Sequence, residues 1–229
     1  MTHHWHALAR IVAVLVLTLV VASTLSTTRA ADFEPAQPSS PMHDWSGFYG
    51  GVHAGYVWGD FDYSGGAFGA STNVTPEDGL FGLLVGYNYQ METFVIGIEG
   101  DSAISYANDR RTVGAAVPVP VRGDIDALFS LRARLGFAMD NVLVFGTAGA
   151  GLLETKTRAP GFVSEDTHWG FVIGGGVEWA LNDTWSVRSE YLYGDFEREN
   201  VGGGISLDPD IHVVRAALIW KFGGLLAGF

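Results

Sequence analysis

Residues Asp124–Ala138 read DIDALFSLRARLGFA, and two kinds of residue alternate along almost the whole stretch. Ile125, Ala127, Phe129, Leu131, Ala133, Leu135 and Phe137 take one set of positions, while Asp124, Asp126, Ser130, Arg132, Arg134 and Gly136 take the other. A period of two is that of a β-strand, whose successive side chains point to opposite faces. One face therefore avoids water and the other carries both signs of charge. What remains open is whether the apolar face meets a protein core or a non-aqueous solvent.

Seven more segments share this alternation: Gly47–Asp60, Leu80–Tyr89, Phe94–Tyr106, Val142–Glu154, His168–Ala180, Trp185–Phe196 and Ile211–Phe222. In Gly47–Asp60 the even positions (Phe48, Gly50, Val52, Ala54, Tyr56, Trp58) are broadly apolar, and the odd positions carry Tyr49, Gly51, His53, Gly55, Val57 and Gly59. Val142–Glu154 is small and apolar on both faces, so its orientation stays undecided. The links alternate in length. QMET, MDN and LNDT are short, whereas Phe61–Gly79, Ala107–Gly123, Thr155–Thr167 and Glu197–Asp210 are long, polar and rich in Gly and Pro. Short turns on one side and long loops on the other describe an up-and-down antiparallel arrangement across a membrane.

Width decides which face is inside. An eight-stranded barrel leaves room for little more than its own side chains, and aromatics from every strand would overfill it. Glycine and charge inside, with Leu, Phe and Trp outside, fit that space. Strands of ten or more residues also suffice to cross the hydrocarbon, which takes about 9–11 when tilted. The expected fold is all-β, an eight-stranded antiparallel up-and-down transmembrane β-barrel. Its lumen then receives Glu99, Asp101, Asp126, Arg132, Arg134, Glu178, Arg188, Glu190 and Arg215, with Lys221 on the same parity. Such charges could line an ion path or a binding site. Buried charge is costly unless paired, so the expectation is a paired, structural network that packs the lumen and conducts poorly.

Outside the strands, residues 1–30 combine Arg10, an apolar run and small residues at Thr28 and Ala30, the pattern of a cleaved export signal. Residues 31–44 form a Pro-rich leader, 45–222 the barrel and 223–229 an extension. The chain has 229 residues and no cysteine, which rules out disulfides and thiolate sites, and its net charge of −12 argues against nucleic acid as a partner. No constellation of enzyme residues coheres, so no enzymatic activity, metal or cofactor is expected. His53 and His168 share the inward parity and His212 does not, which makes a His-ligated site a weak alternative. The glycine triplets 174–176 and 202–204 lack the strand–loop–helix setting of a phosphate cradle.

Taken together, WSGFYGGVHAGYVWG, VGYNYQ, VIGIEGD, LRARLGFAMDNVLVFGTAGAG, GGGVEWALNDTWSVRSEYLYGDF and VRAALIWKF resemble the small outer-membrane β-barrel proteins of alpha-proteobacteria, which include opacity-type and porin-like surface proteins. The resemblance runs from Trp45 to Phe222. It implies residence in the bacterial outer membrane, insertion by the outer-membrane assembly machinery, and contact with outer-membrane lipid and lipopolysaccharide. It also implies roles in envelope integrity and surface contact, with a host or surface ligand reached through the loops; a small channel and haemin binding are the alternatives. Family members end on an aromatic residue, here Phe222. The chain continues to Phe229, which falls on the opposite parity.

Overall fold

A computed structural model of the chain describes residues 43–65, 72–74, 77–105, 111–113, 119–159, 162–197, 199–200 and 205–222, with side chains at 43–59, 77–105, 127–154, 167–197 and 210–222. Eight long strands carry the architecture: β1 (Gly47–Gly65), β2 (Glu77–Met91), β3 (Phe94–Ser105), β4 (Val119–Met139), β5 (Val142–Ala159), β6 (Phe162–Ala180), β7 (Trp185–Phe196) and β8 (Ile205–Lys221). Each pairs antiparallel with the next, and β8 returns to β1 from Tyr49↔Lys221 to Gly65↔Ile205. The sheet is closed. Three short strands, Thr72–Val74, Arg111–Val113 and Glu199–Asn200, add to β1, β4 and β8 at the ends away from the short turns.

The register fixes the width. Cross-strand partners lead from Tyr49 through Gly86, Glu99, Arg132, Gly149, Val172, Gly194 and Ile211 back to Gly59, ten residues further along β1. A stagger of ten over eight strands corresponds to a strand tilt of about 40° and a backbone radius of about 8 Å. Once side chains point inward, little of that radius remains.

Burial alternates as the pleat requires. β2 runs exposed at Phe81, Leu83, Val85, Tyr87 and Tyr89 and buried at Leu80, Gly82, Leu84, Gly86 and Asn88. Leu135 (61% exposed), Trp169 (60%) and Leu131 (59%) belong to an apolar band on the outer face far larger than a soluble monomer tolerates. Aromatics bound the band. Phe48 and Tyr87, Phe94 and Phe137, and Trp185 and Trp220 pair near the short turns, and Trp58, Tyr193 and His212 cluster near the other end. Phe48 and Trp58 are ten residues apart on β1, so the two rings lie about 25 Å apart along the axis, the height of an outer-membrane apolar band.

Several expectations change. β1, β2, β4, β5, β6 and β8 extend beyond the apolar segments into stretches read as loops, because backbone pairing continues after the apolar face has ended. Ala127, expected on the outer face, is buried together with Leu128, because the register between β4 and β5 shifts between Ile125 and Ala127. A bulge of this kind breaks the parity that sequence alternation assumes. Asp126 falls within that shift, and its side chain lies outside the described residues. β5 now has an orientation: Leu143, Phe145, Thr147, Gly151 and Leu153 point inward. Lys221 sits at the rim, its ammonium donating to the Asp44 carbonyl. Phe222 donates its N–H to the Phe48 carbonyl at 2.8 Å, and its ring packs 4.8 Å from Trp220; Phe229 lies outside the described residues.

Several inward glycines are steric requirements. A Cβ on Gly149 would stand 2.0 Å from the Leu131 carbonyl oxygen, whereas one on the outward Gly100 would meet nothing nearer than 3.8 Å. Gly149→Ala is expected to destabilise the refolded barrel by about 1–3 kcal/mol, the usual cost of overpacking. Gly100→Ala is expected to leave the urea midpoint unchanged, as read by tryptophan fluorescence and by the mobility of unheated protein on gels.

Candidate functional site: the charged lumen

The inward face of the barrel holds a belt of charge between apolar layers. Toward the long-loop end, Val57, Leu80, Ala103, Leu128, Leu153, Val172, Leu192, Phe196, Ile211 and Val213 form one buried cluster. Toward the short turns, Trp45 from the segment preceding β1 packs with Val95, Ala138, Leu143 and Ala180. Tyr49, Leu84, Ala217 and Ile219 line the wall of β1, β2 and β8 beside the belt.

Four arginines and four carboxylates make up the belt among the described residues: Arg132, Arg134, Arg188 and Arg215 with Glu99, Asp101, Glu178 and Glu190, all buried. Arg132 is the hub. Its Nη2 donates to Glu99 Oε1 (2.8 Å) and Asp101 Oδ1 (2.7 Å), its Nη1 to Glu190 Oε1 (2.9 Å) and its Nε to Ser130 Oγ (2.9 Å). Arg215 donates from Nε to Glu190 Oε2 (2.7 Å) and from Nη1 to Asp101 Oδ2 (2.9 Å), with His53 Nε2 at 3.3 Å.

Nearer the short turns, Arg188 donates from Nη1 to Glu99 Oε2 (2.5 Å) and from Nε to Glu178 Oε2 (3.0 Å). Arg134 donates from Nη2 to the same Glu178 oxygen (2.6 Å) and lies over the Phe145 ring, 3.8 Å from its centroid. Ser186 donates to Glu178 Oε1 (2.6 Å) and Tyr49 to Glu99 Oε2 (2.8 Å). Charge-assisted, forked bonds of this kind are the strong ones.

Sequence alternation turned these eight charges toward the lumen without saying which would meet, and the structure joins them into one network. Arg134 passes over Glu99 and Asp101 to Glu178 on β6, Arg188 on β7 reaches Glu99 on β3, and Arg132 on β4 reaches Glu190 on β7. Tyr49, Ser130, Ser186 and Phe145 belong to the network without having been singled out. Tyr49 was legible as the one large polar ring on the inward parity of β1, whereas Phe145 waited on the orientation of β5. His53 and His168 are each 1% exposed and lie on separate strands, and among the described residues no group of three His, Asp or Glu side chains is placed to hold a metal ion.

A family model described as an outer membrane protein beta-barrel domain matches residues 16–222. The chain belongs to that family. It is 28% identical over 236 residues to a 31 kDa outer-membrane immunogenic protein of Brucella melitensis, covering 90% of this chain and 98% of the relative. It is also 28% identical over 188 residues to a 22 kDa outer membrane protein of Rhizobium leguminosarum bv. viciae, covering 81% and 82%. Among solved structures it is similar to OprG from Pseudomonas aeruginosa, with TM-score 0.49, 14% identity and coverage of 79% of this chain and 98% of that one. Ail of Yersinia pestis follows with TM-score 0.41, 15% identity and coverage of 76% and 99%. The protein is a bacterial outer-membrane β-barrel.

In this outer-membrane barrel the hub arginine has no neutral replacement of equal reach. Arg132→Met takes one of two arginine partners from each of Glu99, Asp101 and Glu190, leaving three arginines against four carboxylates in the belt, and is expected to cost about 3–5 kcal/mol in urea unfolding, the range for one partner removed from a buried ion network. Adding Glu190→Gln removes the excess negative charge and is expected to restore part of that loss.

Proposed function

We propose that this protein is a closed, non-conducting barrel that contributes to envelope integrity and carries its extracellular loops to the cell surface for contact with other molecules. One observation carries the reading: Arg132 bonds to carboxylates on both β3 and β7, so its guanidinium bridges the lumen from wall to wall. Apolar clusters on both sides of the belt support it further. With a backbone radius of about 8 Å, side chains that meet across the axis leave no continuous water path. Residues 1–30 are then an export signal, 31–44 a leader, 45–222 the barrel handled by the assembly machinery, and 223–229 an extension. The reading includes no catalysis. The Brucella relatives are named as immunogenic outer-membrane proteins, in keeping with exposed loops that meet a host or surface ligand.

Planar-bilayer recording of the refolded protein tests the proposal. Wild type is expected to give no discrete conductance steps, and the double variant Arg132→Ala/Arg215→Ala is expected to give small ones. Reproducible steps from folded wild type would overturn the closed-barrel reading and make the belt a pore lining.

A further inference from the structure

The outer face is not uniformly filled. On β3 the outward positions run Ile98, Gly100, Ser102, Ile104, so two small residues stand between two large ones. Gly100 pairs across the sheet with Val85 and Leu131, and Ser102 with Leu83 and Phe129. These neighbours form two apolar walls, separated by two strand spacings or about 10 Å, with a floor of glycine and serine. The recess continues past Leu131 to the small Ala150 on β5 and ends against Trp169 on β6. Its volume is about 760 Å³, within the range of ligand-sized sites.

Packing does not demand the gap. A Cβ on Gly97, three positions earlier and on the inward parity, would meet Asn88 Oδ1 at 2.4 Å, but one on Gly100 would meet nothing nearer than 3.8 Å. A larger outward residue at 100 would fit the fold and fill the recess. Ser102 also turns a hydroxyl toward the hydrocarbon, where it makes no hydrogen bond among the described residues. A hydroxyl in that medium calls for an acceptor or donor brought from outside.

Position identifies the occupant. Ser102 lies eight residues beyond Phe94 along β3, about 20 Å above the aromatic ring of the short-turn side and so in the extracellular half of the band. The solvent there is the outer leaflet of a bacterial outer membrane, whose lipid is lipopolysaccharide. Its acyl chains carry hydroxyl and ester oxygens below the headgroup, which ordinary phospholipid chains lack, and these match the unpartnered Ser102. We infer that the recess over Gly100 and Ser102 seats one acyl chain of a lipopolysaccharide molecule. This surface is independent of the lumen, and a conducting barrel would keep it.

Trp169 at the recess edge reports occupancy. The refolded protein is placed in vesicles of dibromostearoyl phosphatidylcholine, and the Trp169 signal is taken as the difference between wild type and Trp169→Phe. Lipopolysaccharide titrated into wild type is expected to relieve quenching at least about threefold beyond its mole fraction, a preference that bulk lipid contact does not produce. Gly100→Leu and, independently, Ser102→Phe fill the recess and are expected to bring relief back to mole-fraction dilution while retaining the folded mobility on unheated gels. Relief in simple proportion in wild type overturns the inference, as does undiminished preference in a folded, filled variant. Equal relief by unbrominated phosphatidylglycerol overturns the choice of lipopolysaccharide.

Discussion

Hydrocarbon offers the peptide backbone no hydrogen-bond partner, and the closure of β1 on β8 answers that constraint. Every strand except one pair could be satisfied in an open sheet; the last pair decides whether two raw edges face lipid. The β1–β8 ladder runs from Tyr49↔Lys221 to Gly65↔Ile205, the full length of β8 and all but the first two residues of β1. Closure with a stagger of ten residues then sets a radius, and the radius sets what the lumen can contain. Inward glycines such as Gly149 and Gly82 follow from it, because a Cβ there would strike a neighbouring carbonyl at 2.0 and 2.2 Å.

The same narrowness governs the charges. The eight charged side chains of the belt are buried, and buried charges are tolerable only when paired, since desolvation of each costs several kcal/mol. Arginine suits the task because its planar fork serves two or three carboxylates at once, as Arg132 does with Glu99, Asp101 and Glu190. The network also opposes misregister. A slip of one residue in β4 would turn Arg132 and Arg134 toward lipid and Leu131 and Leu135 into the lumen.

Inside and outside therefore carry separate roles on one wall. The inward face carries the charged belt, and β1, β2, β4, β5, β6 and β8 continue the wall beyond the apolar segments. The outer face is a solvent contact whose shape varies: aromatic rings mark the two interfaces, while the recess over Gly100 and Ser102 departs from the general fill.

Alternation in Asp124–Ala138 and its seven counterparts, together with the lengths of the links, determined the membrane-facing side, the strand count and the antiparallel order. Those depend on local periodicity and on which side chains hydrocarbon accepts. The inward parity of Glu99, Arg132, Glu178 and Arg215 was legible for the same reason. Three things were not. The bulge at Ile125/Ala127 breaks parity without changing composition, β5 is small and apolar on both faces, and strand ends outlast the apolar pattern. Which carboxylate each arginine meets was decided only by the tertiary structure. Arg134 finds Glu178 and Arg188 finds Glu99 across the barrel axis, and distance across a closed sheet depends on stagger and radius, which no single strand encodes.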